Sequence, residues 1–169
     1  FLLALSIGVL SCSQTSQEVI NIEEYTGPIR QMEAVTILHS DSGTVTAKIE
    51  ADKILEFASG DREFPEGVYL EFYENGEKSS FLKANYAYFA SDKSKWKGTG
   101  NVILKNFGSG EQLNTEELFW EPNTGKVYTD KFVNIESGDE VLTGTGLETT
   151  QDFSSYVILK PEGIFSIQE

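Results

Sequence analysis

The sequence predicts an all-β protein assembled from about four strand-turn-strand units, on three observations. From about Glu33 onward the apolar residues alternate with period two, Gly and Asn punctuate the alternation, and two short signatures return about every 30 residues. Val45, Ala47, Ile49 and Ala51 share one face of the first such run, with Thr44, Thr46, Lys48 and Glu50 on the other, as in a half-buried strand. The same alternation returns in Val68, Leu70 and Phe72, in Val102 and Leu104, and in Val133 and Ile135. Between these runs, Asn75-Gly76, Asn123-Thr-Gly125 and Ser137-Gly138-Asp139 supply residues that reach positive φ cheaply and read as turns. No segment after residue 24 keeps an i, i+3, i+4 apolar pattern over three turns, so helices beyond the leader should be short or absent. Ser79 to Phe89 has some helical character, but its aromatics and its place in the repeat favour strand.

The repeats carry the architecture. One signature sets a small residue before a polar one, with an apolar residue three positions on: Ala51-Asp-Lys-Ile54, Ala84-Asn-Tyr-Ala87, Thr115-Glu-Glu-Leu118 and, more loosely, Gly144-Thr-Gly-Leu147. Their starts are 33, 31 and 29 residues apart. The other is an apolar-x-apolar strand at Val68, Val102, Val133 and then Ile164, spaced by 34, 31 and 31 residues. A lone hairpin cannot bury its apolar face, so the units must stack. A non-repetitive β-sandwich is the alternative the pattern disfavours.

At 169 residues the chain is long enough for one domain with its own core. The opening Phe1 to Ser11 is uncharged and reads as the apolar part of a secretory signal. Eleven helical residues reach only about 16 Å, too short to span a bilayer. Val9-Leu10-Ser11-Cys12 fits a lipoprotein signal cleaved before Cys12, the lipid acceptor and sole cysteine. Residues 12–24 then form a lipid-anchored tether, with Ser13 to Gln17 its polar opening, and 25–169 the folded domain. With one cysteine there is no internal disulfide, so the core alone must hold the fold.

Twenty-seven acidic against 13 basic residues give a net charge of −14, which excludes partners bound by neutralising phosphates, nucleic acid above all. Catalytic and metal chemistry find little support. His39 is the sole histidine, which leaves no His-pair metal site and reads as a surface strand-end residue. Glu116-Glu117 and Asp139-Glu140 are adjacent, so on a strand each pair points to opposite faces. Gly98-Thr-Gly100 and Gly144-Thr-Gly146 look like phosphate-loop fragments but precede no helix and read as turns. The chain is read as non-enzymatic, without cofactor or metal.

Phe64-Pro-Glu-Gly-Val-Tyr-Leu-Glu-Phe-Tyr-Glu-Asn-Gly76, Leu82-Lys-Ala-Asn-Tyr-Ala-Tyr88 and Gly98-Thr-Gly-Asn-Val-Ile-Leu104 resemble the repeat of the LptC family of lipopolysaccharide export proteins. Glu111 to Trp120 and Thr124 to Val133 continue the resemblance in register, which covers about Tyr25 to Ile167. It implies an antiparallel β-jellyroll, taco-like, whose apolar interior holds acyl chains. Its members receive lipopolysaccharide from the inner-membrane ABC transporter subunits and pass it to a periplasmic LptA-like bridge protein. The groove would be lined by Val45, Ile49, Val68, Leu70, Leu82, Val102, Leu104, Leu113, Leu118, Val133, Ile135 and Leu142, with Ala47, Ala51 and Ala84 leaving room. Alternation alone suits a self-packed core equally well.

The resemblance further implies edge-to-edge pairing with neighbouring jellyrolls through Met32 to Leu38, with Met32, Val35 and Ile37, and through Ile164 to Ile167. Many members keep a transmembrane helix, which Cys12 here replaces with a lipid anchor in the inner membrane, facing the periplasm. A chain of net charge −14 repels lipopolysaccharide phosphates, so binding is assigned to the acyl chains. The competing reading is a structural or glycan-binding surface lipoprotein with Trp96, Trp120 and Tyr128 facing outward; burial of Trp120 discriminates between them. An unanchored bridge protein of the same superfamily is disfavoured by the lipoprotein signal.

Overall fold

The computed structural model describes residues 24–163. The signal, Cys12 and nearly all of the tether lie outside the described residues, as do Ile164 and Ile167. Eleven strands follow in order: β1 (Arg30–Asp41), β2 (Thr44–Glu56), β3 (Arg62–Phe64), β4 (Val68–Glu74), β5 (Glu77–Ala84), β6 (Tyr86–Ala90), β7 (Lys95–Asn106), β8 (Gln112–Glu121), β9 (Lys126–Ser137), β10 (Glu140–Thr150) and β11 (Tyr156–Glu162). All pairings are antiparallel, and no helix occurs among the described residues. The all-β jellyroll expected from the sequence is what the chain forms.

The strands make one sheet that forks. The first half of β2 pairs with β4 and its end with β3, while β7 pairs with β6 along its first half and with β5 along its second. Because β4 pairs with β5 and β3 with β6, six strands close a ring between β2 and β7. From β7 the sheet continues through β8, β9 and β10 to β11, and from β2 it ends at β1. Phe72 of β4 meets Trp120 of β8 edge to face with centroids 5.0 Å apart, although three sheet steps separate those strands. The sheet therefore folds back so that two walls face each other across the core.

The bend has a sequence cause. In each copy of the first signature the first and fourth residues are both buried: Ala51 with Ile54, Ala84 with Ala87, Thr115 with Leu118, Gly144 with Leu147. Residues three apart on a regular strand point to opposite faces, so burying both on one face needs an extra residue or a break. The register shifts at Thr115/Phe119 and Thr145/Leu147, and β5 breaks to β6 at Asn85. β2 changes partner across the same interval, opposite the positive-φ Ala34 of β1. These irregularities lie at one level, since Val102 pairs with Thr115, Thr115 with Val133, and Val133 with Gly144.

The two glycine motifs correct the sequence reading. Gly98 to Gly100 lies inside β7 and Gly144 to Gly146 inside β10, where they were expected to form turns. Gly100 (φ 75°) and Gly146 (φ 79°) supply the left-handed residue of a bulge, which demands the same backbone as a turn without reversing the chain. The expected turns at Asn75-Gly76, Asn123 to Gly125 and Gly138-Asp139 are present.

Candidate functional site

The interior between the walls is the candidate site. Ten of the twelve expected groove residues are buried, from Ile49, Val68, Leu70 and Leu82 to Val102, Leu104, Leu113, Leu118, Val133 and Ile135. Val45 is half-buried, and Leu142 packs on the core from its margin. Ala47, Ala51 and Ala84 are also inside. The alternation turns these side chains inward because the bulges fall between the alternating runs and leave each run regular.

The expected groove lining omits the residues that fill the space. Phe64, Phe72, Ile54, Val127 and Leu147 are fully buried, and Trp96 and Trp120 are nearly so. Phe64 and Phe89 each lie 5.0 Å from Trp96, centroid to centroid. The apolar cavity between Val68, Leu70, Leu82, Trp96, Leu118 and Trp120 measures only about 10 Å³. Ligand pockets begin at about 300 Å³, so this part of the interior is filled by its own side chains. Extending Leu113-x-x-x-x-Leu118 by two residues reaches Trp120, and Phe72 already stood in the Val68-Leu70 alternation.

The outer face is polar. Glu71 is the one buried carboxylate among the described residues, accepting hydrogen bonds from Tyr73 Oη at 2.9 Å and from Lys78, with Lys48 Nζ at 3.9 Å. Burial pushes its pKa up, but the Lys78 and Tyr73 hydrogen bonds and the two lysine charges outweigh burial and hold it below the usual carboxylate value. Across the sheet, Phe119 and Tyr128 stack 5.3 Å apart, with Lys95 Nζ 4.6 Å above the Phe119 ring. Since Trp96 and Trp120 face inward, the outward aromatic row required of a glycan platform is not formed by the three residues named for it.

Two sheet edges are open. β1 pairs only with β2 and β11 only with β10, so each leaves one row of backbone groups free within the described residues. Met32, Val35 and Ile37 themselves pack against the core, so what β1 offers at its edge is backbone, with Leu38 exposed. On β11, Val157 and Leu159 are exposed while Tyr156 and Ile158 pack inward. The sequence placed this second edge at Ile164 to Ile167, beyond the described residues; the edge strand already begins at Tyr156.

A folded-over sheet with an apolar interior and two edge strands unpaired among the described residues defines a jellyroll module. The chain belongs to the family of LptC-related lipopolysaccharide-assembly proteins, whose family model matches residues 1–160. Membership places it in lipopolysaccharide transport at the periplasmic side of the inner membrane. No curated protein matches the chain.

Proposed function

We propose that the protein receives lipopolysaccharide from the inner-membrane ABC transporter, holds its acyl chains between the two walls and passes it to an LptA-like bridge protein. The observation that carries this reading is the continuous apolar interior, built by the same face of every repeat and flanked by two free strand edges. Each acyl methylene withdrawn from water contributes about 0.8 kcal/mol, so a few chains suffice for strong retention without any headgroup contact. Transfer along such a path needs no catalytic residue. The free edges of β1 and β11 would extend the sheet into a neighbouring jellyroll on each side, with main-chain hydrogen bonds giving affinity and the exposed Leu38, Val157 and Leu159 giving specificity. A lipid on Cys12 would hold the domain, residues 25–169, at the inner membrane.

Photo-crosslinking residues placed singly at Leu70, Leu104 and Ile135 in cells are expected to capture lipopolysaccharide, with none captured at Lys105 on the outer face. Absence of adducts at all inward positions of a folded protein would leave a structural lipoprotein. Crosslinkers at Leu38 and Val157 should capture jellyroll partners from opposite ends. Cys12→Ser is expected to release the protein from the membrane fraction; unchanged membrane association would overturn the lipid anchor.

A further inference from the structure

Among the described residues, the connection between β10 and β11, residues 151–155, is the one inter-strand segment that carries a fully buried side chain. Among its five residues Phe153 is fully buried and stacks on Tyr156 at 5.3 Å, while Ser154 and Ser155 are exposed. Phe153 holds φ at +52°, a left-handed backbone that is strained for a bulky side chain and persists only where the surroundings impose it.

Those surroundings reach the loop from both walls. Ser80 of β5 donates to the Gln151 carbonyl, and Asn106 of β7 donates to the Asp152 carbonyl at 2.8 Å. From the other side Trp120 Nε1 of β8 donates to Gln151 Oε1 at 3.2 Å, and the Gln151 amide donates to Gly125 O at 2.9 Å in the β8–β9 turn. Ser80 pairs with Phe72, and the Phe72 ring touches Trp120, so the loop bridges the walls where they face each other. No ladder hydrogen bond includes residues 151–155, so the segment can leave without unpairing a strand.

We propose that this loop is a displaceable plug: Phe153 occupies the end of the apolar interior in the empty protein, and entering acyl chains expel it. The inference rests on the acyl-groove reading above and adds the device that keeps the groove closed without lipid. Apolar surface that would otherwise be wet is covered by the protein's own phenyl ring, and the strained φ of Phe153 is relieved on release. Because Phe153 stacks on the first residue of β11, expulsion also loosens the start of the edge strand, linking groove occupancy to the edge a partner would pair with.

The test uses the full chain in detergent, with lipopolysaccharide in micelles as the probe, a photo-crosslinker at Ile135 reporting occupancy, and hydrogen exchange of the 149–156 peptide reporting the plug. Addition of lipopolysaccharide is expected to give adducts at Ile135 together with at least tenfold faster exchange at Gln151 and Phe153, whose amides donate to Gly125 O and Thr150 O. Phe153→Ala should raise adduct yield at least threefold at limiting lipid. Asn106→Ala, which frees the loop without removing apolar volume, should act in the same direction. Adducts in wild type with unchanged or slower loop exchange would overturn the plug and leave the groove standing. Adducts only in the variants would support the plug as a barrier. No adducts in wild type or in either variant, with strand content intact, would overturn both readings together.

Discussion

Trp96 and Trp120 are direct cross-strand partners of β7 and β8, their rings 6.0 Å apart on the inner face. They join Phe64, Phe72 and Phe89 into one aromatic cluster that ties the ring of six strands to the β8 wall. Aromatic bodies of this size dominate a core, and their contact across the walls sets how far apart those walls stand.

Truncating the inner ring should therefore cost far more than disturbing the outer aromatic pair. Trp120→Ala is expected to destabilise by about 3–5 kcal/mol, since a cavity adds to lost burial. Lys95→Ala, which removes only a cation above the Phe119 and Tyr128 rings, should cost about 0.5–1 kcal/mol. Urea titration of both variants checks the contrast. Equal losses would mean that Trp120 does not span the walls.

Acid should weaken the fold through Glu71. Its folded pKa lies below the usual carboxylate value, so in the folded state it binds its proton more weakly than in the unfolded chain. The stabilisation is complete above the unfolded carboxylate pKa and is lost as pH falls through the folded value. Glu71→Gln should flatten the acid limb of a stability-versus-pH curve while leaving Lys78 without its partner at neutral pH. A limb of unchanged slope would assign acid sensitivity to other carboxylates.

At the alkaline end the sign reverses. Tyr88 Oη donates to Asp61 Oδ2 at 2.8 Å, and this bond, with burial and the Asp61 charge, pushes the phenol up to about 12. A group that holds its proton more tightly when folded stabilises fully below its unfolded pKa, about 10, and loses that contribution as pH rises through the folded value. Tyr69, Tyr73, Tyr86 and Tyr156 are raised too, mainly by burial, but less than Tyr88, so ultraviolet titration should lose its latest step in Tyr88→Phe. Asp61 also accepts the Ser91 amide at 2.8 Å, so Asp61→Asn should lower the Tyr88 pKa and loosen the β6–β7 turn together.

Strand positions and inward faces were legible because alternation needs only local sequence: Val68, Leu70, Val102, Leu104, Val133 and Ile135 read correctly from their spacing and are buried. The bulges were legible in principle. A small residue and an apolar residue three apart, repeated four times, cannot share a face without one, yet the Gly98 and Gly144 motifs read as turns because positive φ serves both purposes. The fork was not legible, since nothing local tells β2 or β7 to exchange partners midway. Nor was Phe153, which sits between Asp152 and Ser154 with no periodic neighbour; its loop is held by Ser80, Asn106 and Trp120, which lie 33 to 73 residues before it in sequence.

The free edge of β11 depends on one glycine. A methyl added at Gly144 would collide with the Ile158 side chain and the Lys160 carbonyl, and neither can retreat without moving β11 away from β10. Gly144→Ala should cost about 1–3 kcal/mol as overpacking, and the loss should be local. Hydrogen exchange should rise in β11, whose pairs with β10 run from Thr143↔Glu162 to Thr149↔Tyr156, while β2, β4 and β5 keep their protection. If β11 supplies the edge for the bridge protein, the same variant should still take up lipopolysaccharide at Leu104 and lose the partner captured at Val157. Losing lipid uptake while keeping partner capture would assign β11 to the groove wall. That separation is available because the Gly144 contact lies against the edge strand, whereas Leu104 belongs to β7, four strands away in the sheet.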